Sequence, residues 1–251
     1  MLERINYLWR VLATGISFFT FGLGGVLFWL LVFPALDLLV RDPLRRGRYA
    51  RFLIQHSFAA FIDWMRLLGV LTYEIHGRER LQRRGLLVLA NHPTLIDVVF
   101  LVSLTPEADC VVRSGLARNP FTRGPIRATG YISNDNGAGL VDDCIASVHS
   151  GKNLIIFPEG TRTPRSGQGR LQRGAANIAV RGAIDVTPVR IRCRPPTLSK
   201  GEKWYRVPSR RFHIAIEVGE DLPVAQFIAG STEAIASRRL TDWLGAYFNA
   251  E

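Results

Sequence analysis

The chain has 251 residues, 47% of them hydrophobic and 21% charged. That composition excludes a disordered or fibrous protein and suffices for one domain with a full core plus a small extra piece. Lys and Arg number 32 against 21 Asp and Glu, a net charge of +11, so an acidic partner is expected: nucleic acid, an anionic membrane or an acidic carrier.

The first element is a membrane signal. From Val11 to Leu36 the sequence carries no charge. Fully helical, the run would be about 39 Å long at about 1.5 Å per residue, against a hydrocarbon core of about 30 Å. It is too long for a signal peptide, and no A-x-A site follows before Asp37. Two forms are open. One is a single spanning helix. The other is a helical hairpin dipping into one leaflet, with Gly15, Gly22, Gly24, Gly25 and Pro34 breaking the run into two pieces. Arg4 and Arg10 precede the run, and Arg41, Arg45, Arg46, Arg48 and Arg51 follow it. Basic residues at both ends fit two cytoplasmic flanks, and the larger downstream cluster places the rest of the chain in the cytoplasm. Of the basic residues only Lys152, Lys200 and Lys203 are lysines. That skew is typical of a GC-rich bacterial genome, so the expected location is the cytoplasmic face of a bacterial inner membrane.

A second stretch, about residues 52–71, is amphipathic. Phe58, Phe61, Ile62 and Met65 recur at helical spacing, with His56, Asp63 and Arg66 opposite. It reads either as a helix on a core or as one lying in the membrane interface, and the preceding membrane segment favours the second. Residues 1–71 therefore form a membrane-associated helical segment, and residues 72–251 the domain that carries the chemistry.

Beyond residue 71, short apolar runs alternate with helical patterns. Strands are predicted over Thr72–His76, Gly85–Ala90, Asp109–Val112, Tyr131–Ser133, Asn153–Phe157, Val186–Cys193 and Phe212–Val218. Helices are predicted over Thr94–Leu104, Leu140–Ser150, Gln172–Arg181 and Thr232–Phe248, with polar loops at Pro164–Gly169 and Pro195–Lys203. This alternation predicts an α/β fold, a sheet with helices on its faces. Cys110, Cys144 and Cys193 are odd in number, far apart and form no C-x-x-C. That argues against a disulfide framework or a cysteine zinc site and for a reducing setting.

Two motifs leave the carboxyl ends of buried strands, where sites in α/β sheets lie. Asn91-His92-Pro93-Thr94-Leu95-Ile96-Asp97 follows the strand GLLVLA. A histidine there can act as a general base near neutral pH, and an aspartate five residues on can fix its tautomer and stabilise the imidazolium. Thr94-x-x-Asp97 also reads as a helix-capping pattern without chemistry. Phe157-Pro158-Glu159-Gly160-Thr161-Arg162-Thr163 follows the strand NLIIF. Gly160 permits a tight turn, Arg162 offers a planar fork for a phosphate or carboxylate, and Glu159 either holds Arg162 or binds an acceptor hydroxyl. The alternative is a surface turn closed by a local Glu–Arg pair.

Together, N-H-x4-D after one strand and F-P-E-G-T-R after a later one resemble the PlsC-like glycerolipid acyltransferase family, of which lysophosphatidate acyltransferases are the best-known members. The resemblance covers about residues 72–195 and continues at Gly174-Ala175-Ala176 and Val186-Thr187-Pro188-Val189. It implies a central mixed sheet flanked by helices, with an N-terminal membrane-embedded helical segment. It implies His92 and Asp97 as the catalytic pair, and Asn91, Arg113, Glu159, Gly160, Thr161 and Arg162 around the substrate. The acyl group would pass directly from acyl-CoA or acyl-carrier protein to a hydroxyl of a membrane lyso-lipid, with no cofactor. No H-E-x-x-H and no Cys/His cluster occurs, so no metal is expected. The arginines are scattered and no binding motif is recognisable, so no nucleic acid is expected.

One block departs from the family. Where G-x-[IV]-F-[IV]-x-R is usual, this chain reads Gly130-Tyr131-Ile132-Ser133-Asn134-Asp135-Asn136, and Asn136 replaces the arginine expected to contact the acceptor's phosphate. Arg123 and Arg127 lie upstream and are the available substitutes. The resemblance implies 1-acylglycerol-3-phosphate as the acceptor, while this departure favours the alternative, another lyso-lipid or a secondary-metabolite lipid. A non-catalytic membrane-binding relative is the reading outside enzymes.

Overall fold

A computed structural model describes residues 2–135, 137–165 and 169–250. The chain opens with one continuous helix in three parts: α1 (Leu2–Leu27), a π-helical turn (Phe28–Val32) and α2 (Phe33–Leu39). Of the two open forms, the one broken into two pieces does not occur. At Pro34 the Phe33 N–H reaches back five residues to the Phe28 carbonyl, and this widened turn makes room for a ring that a regular helix would push against a carbonyl one turn earlier. The glycines serve close packing. A Cβ on Gly25 would collide with the Phe121 carbonyl oxygen, and one on Gly124 would meet the Trp29 Cβ.

Helix α3 (Pro43–Leu67) folds back along the first helix. Asp42 caps it by accepting the Leu44 N–H at 2.9 Å, and Pro43 occupies the first turn, where its missing N–H costs nothing. Its apolar face lies on protein. Ile54, Ile62 and Met65 are buried, and Phe61 and Phe58 approach Phe21 of α1 with ring centroids 5.2 and 5.9 Å apart. Phe58, Phe61, Ile62 and Met65 thus pack on protein, while His56, Asp63 and Arg66 are exposed. The helix starts nine residues before the predicted 52.

The sheet has seven strands: β1 (Leu71–His76), β2 (Leu87–Ala90), β3 (Ala108–Val112), β4 (Ile132–Ser133), β5 (Asn153–Ile156), β6 (Val186–Arg194) and β7 (Phe212–Val218). Their order is β1-β7-β6-β2-β5-β3-β4. All neighbours are parallel except β6 and β7, so the sheet is mixed. The uninterrupted apolar runs of β2 and β5 are explained by cover on both faces. Val88, Ala90 and Ile155 point to a core shared with α3, α4 (Asp97–Leu104) and the N-terminal helix. Leu87, Leu89 and Leu154 point to a second core under α7 (Leu140–His149), α8 (Gly174–Gly182) and α10 (Glu233–Asn249). The first core includes Ala13, Phe33, Ile54 and Met65 beside sheet residues, so the N-terminal helices and the sheet share one interior.

Two short helices, α5 (Ser114–Arg118) and α6 (Arg123–Thr129), fill the connection between β3 and β4, and a third, α9 (Ala225–Ile228), precedes α10. None was apparent in the sequence, because each is too short to show a period.

Candidate active site

Strands β2, β5 and β6 run side by side and parallel, so their carboxyl ends open on one edge of the sheet. Asn91 is the first residue beyond β2. Its carboxamide donates to the Ile191 carbonyl at 2.8 Å and accepts the Ile191 N–H at 2.7 Å. The side chain thus extends the β2–β6 ladder by one step, and its role is to hold the following loop in place.

The loop then turns His92 towards Asp97. His92 Nδ1 and Asp97 Oδ2 are 2.8 Å apart, the imidazole 14% exposed and the carboxylate fully buried. Asp97 also accepts the Thr94 N–H at 2.7 Å on Oδ2 and the Thr94 hydroxyl at 2.7 Å on Oδ1. Both readings of the motif are therefore realised in one carboxylate: it closes the turn before α4 and it orients the histidine. The helix predicted from Thr94 begins at Asp97 because Thr94–Ile96 form that turn. Burial pushes the Asp97 carboxyl above the usual carboxylate range, and the His92 and Thr94 hydrogen bonds draw it back. As an ionised acceptor, Asp97 requires the proton on Nδ1 and leaves Nε2 with its lone pair. Phe157 stacks on the ring at 4.2 Å between centroids and limits its rotation.

The second motif wraps round the first. Phe157–Gly160 is a turn closed by the Gly160 N–H on the Phe157 carbonyl at 2.9 Å, and Gly160 has φ +64, a conformation that favours glycine. Glu159 is buried at 6% exposure. Its Oε1 accepts the His92 backbone N–H at 3.0 Å and the Thr163 hydroxyl at 2.7 Å, while the Thr163 N–H donates to the His92 carbonyl at 2.7 Å. Gly169 packs so closely on Glu159 Oε2 that a Cβ would collide with it.

The Glu159–Arg162 pair, one of the two alternatives, does not form: Glu159 Oε1 turns to the His92 N–H and the Thr163 hydroxyl. Arg162 instead donates from Nη1 to the carbonyls of Leu198 and Ser199, at 2.8 and 3.0 Å. Arg113, exposed beyond β3, reaches back to the Gly160 carbonyl at 2.5 Å. Thr161 follows, half-buried. The fold thus gathers His92, Asp97, Asn91, Arg113, Glu159, Gly160 and Thr161 at one sheet edge and turns Arg162 towards the loop after β6. Asn136 lies outside the described residues. Arg123 lies over the Trp29 ring at 3.4 Å, on the N-terminal helix.

Sequence reasoning missed Thr163, Phe157 and Gly169. Thr163 and Phe157 stood inside the quoted motif, but their contacts to the His92 carbonyl and the His92 ring span residues remote in sequence. All three cysteines are free and buried. Burial, and next the Asp97 charge, push the Cys193 thiol up to about 12, so it stays protonated and is no nucleophile.

Fold and site together define an α/β protein built round a buried histidine–aspartate pair at the carboxyl ends of parallel strands. Residues 72–192 match the family model described as Acyltransferase. A Caenorhabditis elegans protein with the provisional name 1-acyl-sn-glycerol-3-phosphate acyltransferase acl-2 is 32% identical over 67% of this chain and 61% of its own length. The Pseudomonas aeruginosa lyso-ornithine lipid O-acyltransferase is 29% identical over 52% of each chain. The name 1-acyl-sn-glycerol-3-phosphate acyltransferase recurs among relatives from bacteria, plants and yeast. The chain spans about three fifths of the length of the first of these curated relatives. The crystal structure of the 1-acyl-sn-glycerophosphate acyltransferase PlsC from Thermotoga maritima shares the fold, with TM-score 0.73 and 19% identity over 98% of this chain and 96% of that one.

Proposed function

We propose that this chain is a membrane-associated O-acyltransferase. It moves a fatty acyl group from a thioester of CoA or acyl-carrier protein to a hydroxyl of a lyso-lipid, with 1-acylglycerol-3-phosphate as acceptor in phospholipid synthesis. The observation that carries this reading is the 2.8 Å His92–Asp97 pair within an acyltransferase domain. His92 Nε2 takes the proton of the acceptor hydroxyl as its oxygen attacks the thioester carbonyl, and Asp97 balances the imidazolium that results. The tetrahedral intermediate collapses with loss of the C–S bond, and His92 returns the proton to the leaving thiolate. No protein nucleophile is needed.

The N-terminal helix is long and apolar enough to cross a membrane by length and composition. We favour a helix lying along one leaflet at the cytoplasmic face of a bacterial inner membrane. Arg10 donates to the Ser209 carbonyl, Phe21 packs on α3, Gly25 meets Phe121 and Trp29 carries Arg123. These contacts run along roughly 30 Å of helix at about 1.5 Å per residue. A transmembrane orientation would draw the contacting polar loops into hydrocarbon, which lipid-exposed irregular backbone does not tolerate.

A lyso-ornithine lipid is the second reading of the acceptor, favoured by Asn136 in place of the expected arginine and by the Pseudomonas relative. The test is turnover of both acceptors by the purified full chain, with acyl-CoA and with acyl-carrier protein. His92→Ala is expected to lower kcat by about 10²–10⁴-fold with the circular dichroism spectrum unchanged. A variant keeping half the wild-type rate would sink the mechanism, and no turnover of either acceptor would sink the substrate class.

A further inference from the structure

We propose that the loop between β6 and β7, residues 199–211, is a second membrane contact that reads anionic phospholipid headgroups, with Trp204 and Tyr205 at headgroup level beside the N-terminal helix. The inference rests on the membrane-associated reading of that helix.

The loop is positive outwards. Lys200, Lys203, Arg206, Arg210 and Arg211 are all exposed, and among the described residues none is paired with a carboxylate. The loop's own acid is turned inwards. The Glu202 side chain is 11% exposed, its Oε2 accepts the Ser199 N–H at 3.1 Å, and its Oε1 lies 3.6 Å from Arg165 Nη1.

Between these cations stand two large aromatics, Trp204 and Tyr205, each 45% exposed. Their rings form an edge-on pair at 5.7 Å, and the Lys203 ammonium lies 5.6 Å from the Tyr205 centroid. Aromatic rings interleaved with basic side chains are the composition of a membrane–water interface, where the ring body is apolar and the cation faces phosphate.

The placement of Trp204 selects a bilayer over an acidic protein. Its ring covers Gly15 at 3.4 Å from where a Cβ would stand, and its centroid is 6.0 Å from that of Phe18. Leu8, Leu12, Gly15 and Phe19 follow i, i+4, i+7, i+11 and share one helix face. Leu8, Leu12 and Phe19 on that face are 65%, 56% and 69% exposed. Trp204 therefore widens an apolar strip that already asks for lipid, and the loop's charges border it.

The loop is also held in position. Arg162 of the second motif binds the carbonyls of Leu198 and Ser199 at its start. Arg10 and Arg211 pin its end through the Ser209 and Gly69 carbonyls, at 2.6 and 3.1 Å. The same arginine side chain thus belongs to the site loop and anchors the surface that meets the headgroups.

Tyr205→Cys and, separately, Leu12→Cys, each labelled with an environment-sensitive fluorophore, test this in the full chain, whose native cysteines are all buried. On vesicles containing phosphatidylglycerol, both probes should shift to the blue, and a headgroup nitroxide lipid should quench the probe at 205. The triple variant Lys200→Gln, Lys203→Gln, Arg206→Gln should bind these vesicles about five-fold more weakly per charge removed, and vesicles of phosphatidylcholine alone with unchanged affinity. Insertion at position 12 with position 205 left in water would overturn the loop assignment alone. Failure of the position 12 probe to insert would overturn the membrane reading beneath it. A triple variant that weakened only the binding of an acidic carrier protein would make the loop a protein-docking surface, and the proposal would fall.

Discussion

The loops after β2 and β5 leave adjacent parallel strands, yet they are built on different principles. In the first, the contacts that orient the reacting group are local, His92 with Asp97 five residues on and Thr94 with Asp97 three residues on, while its braces, Asn91 on the Ile191 backbone and Phe157 on the imidazole, are remote. In the second, a locally closed turn carries side chains whose outward contacts are remote: Glu159 binds the His92 backbone 67 residues away, and Arg162 binds the loop after β6, 36 and 37 residues away. The first loop holds the reacting group. The second holds the first loop and ties it to the surface beside the N-terminal helix. Chemistry written in short spacings is thus supported by a frame written in long ones.

The sharpest way to break this division is at Asp97. Asp97→Asn keeps the shape but puts an amide donor against Thr94 or His92, so the imidazole loses its enforced tautomer. We expect kcat to fall by about 10²–10⁴-fold in steady-state assays, as for loss of a general base. If the second loop only supports, its glutamate should act through stability first. Glu159→Ala leaves the His92 N–H and the Thr163 hydroxyl without a partner, at about 1–3 kcal/mol for each donor left unsatisfied. Denaturant unfolding would show it, and Glu159→Gln, which retains an acceptor oxygen, should recover about half. A Glu159→Ala protein of normal stability and no activity would instead make the glutamate part of the chemistry.

Arg162→Lys probes the outer end of the frame. Losing contacts to two neutral carbonyls costs about 0.5–1.5 kcal/mol each, and kcat/KM should fall by about ten-fold or less for charged and uncharged acceptors alike. A loss of about 10- to 150-fold confined to a phosphate-bearing acceptor would return Arg162 to the role of anion receptor.

The smallest expected effect lies away from both loops, at the pair Arg83–Asp221, which joins the segment before β2 to the residues after β7 at 2.6 Å. The hydrogen bond to Arg83 holds the Asp221 carboxyl below the usual carboxylate range. A depressed carboxylate stabilises the fold above its unfolded pKa of about 3.9, and that contribution disappears as pH falls through the folded value. Both side chains are about a third or more exposed, so screening keeps the effect to about 1 kcal/mol or less. The melting temperature of Asp221→Asn should lie slightly below that of the wild type at pH 6 and converge with it below pH 3.

The sequence by itself determined the strand–helix alternation, because apolar runs bounded by turn residues and periods of two and 3.6 are local properties. It also determined the His92–Asp97 pair, since five residues at a strand-to-helix turn bring two side chains together with little help from the rest of the fold. Tertiary structure decided the rest. It kept residues 2–39 as one helix, because a π turn absorbed Pro34 and Gly25 let the Phe121 backbone approach. It placed Phe58, Phe61, Ile62 and Met65 on protein, because an amphipathic face takes whichever apolar surface lies beside it. It moved Glu159 away from Arg162, because a buried carboxylate binds the donors that the fold presents, and one of them, the His92 N–H, comes from a loop 67 residues away that sequence spacing alone does not bring near.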